Sequence, residues 1–334
     1  MKALVTGGGG FLGGAIVRRL VGRGDQVRSL ARHHYPALEA LGVEQQRGDV
    51  ADAHAVLAAV AGCDVVFHVA ARAGLGGRFS DYYRPNVLGT QNVLVACRFH
   101  GVRRLVYTSS PSVVFDGRDM EGVDESVPYP DFYEAHYPHT KALAEKLVLQ
   151  ANGPALATVA LRPHLIWGPG DNHLLPRLLA RARAGRLRRI GRADKLIDSV
   201  YVDNAAEAHL LAADRLLPGA ALAGRAYFIT QGQPVPLWEL VNRILHAAGL
   251  GPVTKSVPFR VAYTAGWFLE SLYALLHLAS EPPMTRFLAR ELTTAHWFNI
   301  AAARRDLGYE PTISLEEGLR RLEEHLRTFP SAVA

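Results

Sequence analysis

Lys2-Ala3-Leu4-Val5-Thr6-Gly7-Gly8-Gly9-Gly10-Phe11-Leu12-Gly13 decides the reading of this chain. A short apolar run ends in a cluster of glycines, and a helical pattern starts at once behind it. Gly7, Gly10 and Gly13 have the spacing that lets a backbone turn tightly, approach a pyrophosphate and pack a helix against a sheet. A flexible loop would be equally rich in glycine, so it is the place between strand and helix that gives the turn its meaning.

Outward from that turn, short β-branched runs alternate with helical periods, the pattern of a parallel sheet covered on both faces. The expected strands are Lys2 to Thr6, Gln26 to Ala31, Val43 to Arg47, Asp64 to Ala70, Arg104 to Thr108 and Thr158 to Arg162. Pro85 lies inside the helical stretch from Phe79 to His100, where its missing N–H should end or kink the helix. After Arg162 the rhythm breaks into shorter elements rich in Gly and Pro. The expected division is a dinucleotide-binding domain over 1–163 and a mainly substrate-binding lobe over 164–330, with 198–230 returning to the first sheet.

The chain has 334 residues, 49% hydrophobic and 20% charged, which suits one large α/β domain and a smaller lobe and excludes a disordered or fibrous protein. The apolar run before Gly7 is too short for a signal peptide, so the expected protein starts at Met1 and works in the cytoplasm. Cys63 and Cys97 lack metal-ligand spacing and read as two reduced core thiols; no metal is expected. The net charge of +6 comes from scattered arginine, since only Lys2, Lys141, Lys146, Lys195 and Lys255 are lysines. No stretch interleaves aromatic and basic residues as a nucleic-acid platform would, so no nucleic-acid partner is expected.

Two positions bear on the choice of dinucleotide. The second strand ends at Ala31-Arg32, where an acidic side chain would hold the ribose 2′-hydroxyl of NAD; an arginine can instead pair with the 2′-phosphate, which favours NADP and leaves NAD open. Asp49 follows the third strand and is placed to accept from the adenine amino group. It also has the chemistry of a helix N-cap, a duty that Asp52 fits better.

Tyr137-Pro138-His139-Thr140-Lys141 puts a phenol and an ammonium one helical turn apart. Hydride transfer at an alcohol carbon needs a proton moved on or off the oxygen, and a free tyrosine, with a pKa of about 10, is a poor base at neutral pH. The expectation is that Lys141 lowers the phenol and holds the nicotinamide ribose. Ser110, after the fifth strand, is the expected hydroxyl that orients the substrate oxygen, with Ser109 and Ser112 as substitutes; ordinary turn chemistry around Pro111 would also place serines there.

With these residues in view, the chain resembles the extended short-chain dehydrogenase/reductase superfamily along nearly its whole length. Thr6 to Gly13, His68-Val69-Ala70-Ala71, Asn86-Val87-Leu88-Gly89-Thr90, Tyr137 to Lys141 and Leu161-Arg162-Pro163 carry the resemblance. It implies a Rossmann-type doubly wound parallel sheet with a smaller C-terminal substrate lobe. It also implies that Ala70 and Ala71 line the cofactor cleft, that Asn86 supports the active-site helix and that Pro163 lies beside the nicotinamide. The candidate cofactor contacts are therefore Gly7, Gly10, Phe11, Leu12, Gly13, Arg32, Asp49, Val50, Ala70, Ala71, Lys141 and Pro163, and the candidate catalytic residues Tyr137, Lys141 and Ser110.

Ser109 to Gly117, Trp167-Gly168-Pro169-Gly170-Asp171, Tyr201-Val202-Asp203-Asn204 and Leu307 to Pro311 are most similar to the 3β-hydroxysteroid dehydrogenase branch. Within it, the chain resembles sterol-4-carboxylate 3-dehydrogenases and bacterial 2-alkyl-3-oxoalkanoate reductases. Those activities share the interconversion of a 3-hydroxyl and a 3-ketone on a bulky lipid, and that chemistry is the expected one. A nucleotide-sugar epimerase and a non-catalytic NADP-sensing protein are the rival readings. Pro111-Ser112 after Ser110 counts against a dehydratase, which needs an acid there.

Arg177, Arg181, Arg183, Arg186, Arg188, Arg189 and Arg192 crowd one segment; one of them can hold a carboxylate or phosphate, while the rest read as a solvated face. His164 and His173 flank the expected mouth of the site and are given no chemical role. Residues 261–279 carry Glu270 as their only charge, and read as a buried helix or substrate lid, with a patch that dips into a membrane or meets a lipid-handling partner as the alternative. A homodimer stays open.

Overall fold

The first strand is built from Ala3, Leu4 and Val5, each wholly buried, and the strands beside it repeat this composition with Val65-Val66-Phe67 and Leu105-Val106. Side chains apolar on both faces require cover on both faces, which antiparallel hairpins do not give and crossover helices do. The computed structural model, which describes residues 1–278 and 280–329, shows that arrangement. Strands β1 (Lys2–Thr6), β2 (Gln26–Ala31), β3 (Glu44–Arg47), β4 (Val65–His68), β5 (Arg104–Thr108), β6 (Ala157–Pro163) and β7 (Arg225–Ile229) form one seven-stranded parallel sheet in the order β7-β6-β5-β4-β1-β2-β3. The expected strands are present, with ends displaced by a residue or two.

Among the helices are α1 (Phe11–Gly22), α2 (Ala53–Val60), α3 (Gly89–Phe99), α4 (His136–Gln150), α5 (Leu174–Arg183), α6 (Val202–Arg215), α7 (Phe259–Leu275) and α8 (Arg286–Glu291). α1 and α6 cover one face of the sheet and α2, α3 and α4 the other. In α1 the apolar stripe is Ile16, Val17 and Leu20, all without exposure. Each such side chain contributes about 1.5–3 kcal/mol by leaving water. The strand order reverses between β1 and β4, and such a sheet opens a crevice at the carboxyl ends of those strands.

Pro85 neither ends its helix nor breaks it. A short helix, Phe79–Tyr83, passes into a wider π turn over Arg84–Leu88 and continues as α3. The wider turn absorbs the ring and the missing donor of Pro85.

The smaller lobe contains a four-stranded sheet in the order Val235–Pro236, Leu196–Ile197, His296–Phe298, Met120–Val123. Its last strand comes from the chain between β5 and α4, while β7 joins the main sheet from the other direction. Each layer therefore borrows chain from the other half of the sequence.

The core-helix reading of 261–279 is corrected. In α7 only Ala262 and Gly266 are buried, whereas Trp267 is 55%, Phe268 58% and Leu275 75% exposed. Gly266 packs so closely on the next helix that a Cβ there would stand 2.6 Å from the carbonyl carbon of Thr285. Contact is thus confined to one narrow stripe, and the apolar remainder faces outward. Among the described residues no helix is long and apolar enough to cross a membrane. Ala279 and Pro330, which end two of the expected segments, lie outside the described residues.

Candidate active site

The crevice is framed by the ends of β1 and β4. Thr6 Oγ1 accepts from the amides of Val69 and Ala70, each at 3.1 Å, and lies 2.8 Å from His68 Nδ1. With its oxygen accepting twice, the hydroxyl donates its hydrogen to Nδ1. The imidazole proton is then on Nε2, which donates to Thr90 Oγ1 at 3.0 Å, and Thr90 donates to the Asn86 carbonyl at 2.6 Å. Burial, helped by the Lys141 ammonium, pushes the His68 pKa down to about 3 and keeps it neutral.

Over this frame lies the glycine turn. Gly7 has φ +72°, and a Cβ there would sit 3.1 Å from the Ala70 Cα. A Cβ on Gly13 would come within 2.1 Å of the Gly7 carbonyl oxygen, so that position admits only glycine. Gly10 occupies the N-cap of α1 and offers no side-chain cap, leaving the first-turn amides open. Phe11 is half-buried at the turn; Leu12 is buried in the core and offers the crevice only its backbone. These are features of a pyrophosphate cradle, and the residues present fit a dinucleotide.

The other candidates for cofactor contact lie around the rim. Arg32 is exposed after β2 and has no ion-pair partner among the described residues. Asp49 is also exposed; its Oδ1 accepts from the Ala51 amide at 2.9 Å, while Asp52 caps α2 through the amides of His54 and Ala55. Val50 is buried against Gly89. Ala70 stands at the turn, Ala71 is exposed beyond it, and Pro163 is buried at the end of β6. The Tyr35 ring, which sequence reasoning passed over, lies against Gly9 where any side chain would collide with it.

The chemical end forms where β5 and α4 meet. Asn86 brackets the backbone of Arg72, accepting from its amide at 2.7 Å and donating to its carbonyl at 3.1 Å. The same amide group donates to Thr140 Oγ1 at 3.0 Å, and so fixes the first turn of α4. That turn carries Tyr137. Ser110 and Tyr137 line one cavity of about 200 Å³, together with Ser112 and His164. Ser110 Oγ lies 2.9 Å from Ser112 Oγ, and Ser109 is buried on the side of Glu145.

Lys141 does not act on the phenol as its spacing suggests. Its ammonium donates to the Thr108 carbonyl and sits 4.2 Å above the Tyr107 ring. Burial lowers its pKa to about 7 against the opposing pull of Glu145. The Tyr137 phenol rises to about 12, chiefly by burial, with Ser110 pulling it down and Glu291 pushing it up. The phenol therefore keeps its proton at neutral pH, as an acid must.

None of the seven crowded arginines lines this cavity. Arg177 pairs with Glu281 at 2.7 Å and Arg181 donates to the Pro283 carbonyl at 2.8 Å. His173 is exposed at the start of α5, away from the cavity, whereas His164 lies in its wall. Sequence reasoning missed Phe287, Glu291, His296 and Phe298, which complete that wall. They come from a part of the chain without a motif, brought in by pairing of His296–Phe298 with Met120–Val123.

Comparison with known proteins agrees with this geometry. Residues 4–259 match the model of the 3-beta hydroxysteroid dehydrogenase/isomerase family. The chain is 56% identical over 325 residues to a 2-alkyl-3-oxoalkanoate reductase of Stenotrophomonas maltophilia, covering 97% of this chain and 98% of that protein. It is 34% identical to the decarboxylating sterol-4-alpha-carboxylate 3-dehydrogenase of Mus musculus, covering 98% and 92%. Among solved structures, MoeE5 in complex with UDP-glucose and NAD superposes with a TM-score of 0.76 at 26% identity, covering 99% of this chain and all of that one. The chain belongs to the 3-beta hydroxysteroid dehydrogenase/isomerase family and is an NAD(P)-dependent oxidoreductase of the extended short-chain dehydrogenase/reductase type, acting on CH–OH.

Proposed function

We propose that the protein reduces the 3-ketone of a 2-alkyl-3-oxoalkanoate, with NADP as the preferred cofactor. The observation that carries this reading is the meeting of Ser110 and Tyr137 in one cavity at the carboxyl end of β5. When bound, the dinucleotide supplies the hydride. Gly7, Gly10 and Gly13 hold its pyrophosphate, Arg32 its 2′-phosphate, Asp49 and Val50 the adenine end, and Ala70, Ala71 and Pro163 the walls of the cleft. Ser110 orients the ketone oxygen, and the protonated Tyr137 phenol donates to that oxygen as negative charge develops. Lys141, anchored on the Thr108 carbonyl, holds the ribose, and the phenol regains its proton from solvent.

Room for a lipid supports the same reading. A second cavity of about 530 Å³ shares Phe115, Met120 and Phe287 with the first, so an alkyl chain can extend past the reacting carbon. The outward apolar face of α7 fits a peripheral contact with a lipid surface, to be tested by vesicle flotation. The function is tested by assaying 2-alkyl-3-oxo acids, 3-ketosteroids and UDP-sugars with NADPH and NADH. Turnover of the oxo acids with a preference for NADPH is expected; epimerisation of a UDP-sugar without net cofactor use would favour the rival reading.

A further inference from the structure

Among the described residues that line the cavity beside Tyr137, most polar groups have settled partners, while His164 Nδ1 and the Glu291 carboxyl have none. Ser110 is bonded to Ser112, and His296 Nε2 to the Thr294 hydroxyl at 2.8 Å. Glu291 lines the same cavity, yet no described residue gives its carboxyl a hydrogen bond or an ion pair. The apolar part of the wall is Phe287, one turn earlier on α8, with Phe115, Met120 and Phe298.

Charges near Glu291 are turned elsewhere. Arg290 pairs with Glu134 at 3.0 Å and covers the Tyr263 ring, and Arg286 pairs with Glu270 at 2.6 Å. From the elements packed around it, Glu291 shares the cavity with Tyr137 of α4, His164 after β6 and His296 of the small sheet. Both imidazoles are neutral, pushed down by burial to about 4 and about 3. Glu281 is engaged with the Leu75 amide at 3.1 Å and with Arg177, and Lys141 with the Thr108 carbonyl. Among the described residues no cation lines the cavity.

We propose that Glu291 is a specificity-determining residue that, as the acid, donates a hydrogen bond to the carboxylate of a 3-oxo or 3-hydroxy acid whose C3 oxygen lies at Ser110 and Tyr137. The inference rests on the ketone-reduction reading above. A carboxylate entering a cavity without a cation cannot sit beside a second ionised carboxyl, but it can share one proton with it in a strong O–H···O⁻ bond. Burial already holds Glu291 up at about 7, so the acid is available at neutral pH. The substrate carboxyl is separated from the C3 oxygen by one carbon beyond C3, which suits recognition of both groups within one small cavity.

Binding of the anion is then linked to a proton on Glu291. Above neutrality, ionisation of the free enzyme's Glu291 raises KM toward tenfold per pH unit. The test is oxidation of a 2-alkyl-3-hydroxy acid and of its methyl ester between about pH 6 and 9, at saturating NADP⁺ or, if that is not used, NAD⁺. Wild-type KM for the acid should rise at least about tenfold across the upper half of that range and stay flat for the ester. Glu291→Gln keeps an N–H donor and cannot titrate, so its KM for the acid should stay flat across the same range. Turnover with parallel wild-type profiles for acid and ester, or a rise in Glu291→Gln equal to that of wild type, would overturn the inference alone. The ester comparison needs no variant and so does not depend on one folding. No turnover of either compound with either cofactor would overturn the reaction assigned above, and the inference with it.

Discussion

Glu145 and Arg162 form a two-pronged ion pair, with Nη2 to Oε1 at 2.6 Å and Nε to Oε2 at 3.0 Å, and both side chains are buried. Tyr129 donates to the same carboxylate at 2.6 Å. The pair locks α4 onto β6 one turn beyond Lys141, and its carboxylate opposes the loss of the Lys141 proton. Glu145→Gln leaves a guanidinium buried without its counter-charge and should cost about 3–5 kcal/mol in urea unfolding. Replacing both residues with methionine should cost less. Equal losses in the two variants would count against this account of the pair.

Arg32 decides cofactor choice if it meets the 2′-phosphate. Arg32→Ala should raise the KM for NADPH by about 10- to 100-fold, the range of a lost charge-assisted bond, and leave that for NADH nearly unchanged. Steady-state kinetics with both cofactors is the measurement, and an equal effect on the two would remove the phosphate role.

Gly13 admits no side chain, because the atom it would meet is a backbone oxygen that cannot swing away. Gly13→Ala should therefore shift the turn, weaken NADPH binding by tenfold or more, and destabilise the fold by about 1–3 kcal/mol. Fluorescence titration and thermal melting check the two effects; an unaltered affinity would separate the turn from the cofactor.

Four buried imidazoles set the response to acid. His68, His164, His209 and His296 are held down to about 3, 4, 4 and 3, whereas unfolded histidines titrate near 6.5. Below that value the unfolded chain binds more protons, so their contribution is complete above about pH 6.5 and is lost as pH falls toward 4. Glu291 and Asp198, raised to about 7 and about 6, act in the opposite direction over the same interval. The four imidazoles outweigh the two carboxyls, so stability falls as pH falls through about 5. The urea midpoint should fall between about pH 7 and 5, and a constant or rising midpoint would contradict the assignment.

Much of this was legible in the sequence, for physical reasons that also set its limit. Ala3-Leu4-Val5 and Val65-Val66-Phe67 are short apolar runs between turns, which read as two-sided strands, and Gly7 to Gly13 mark the first crossover. Ser110 and Tyr137 follow from their places at the end of β5 and the start of α4. Glu291 does not, because it stands more than a hundred residues from Tyr137 and reaches it through a strand pairing that no local pattern encodes. The direction of Lys141 was likewise not legible: spacing puts it on the face of Tyr137, but the Thr108 carbonyl beneath decides where the ammonium goes. In α7, apolar content marked a helix and could not tell which side would be covered.

The central claim is that the Tyr137 phenol gives its proton to the substrate oxygen. The most direct measurement is the single-turnover rate of Tyr137→Phe with NADPH and a 2-alkyl-3-oxo acid, paired with a titration of NADPH binding. The account predicts a loss of about 10²- to 10⁴-fold in rate with the NADPH affinity almost unchanged. A rate within a few-fold of wild type would contradict it.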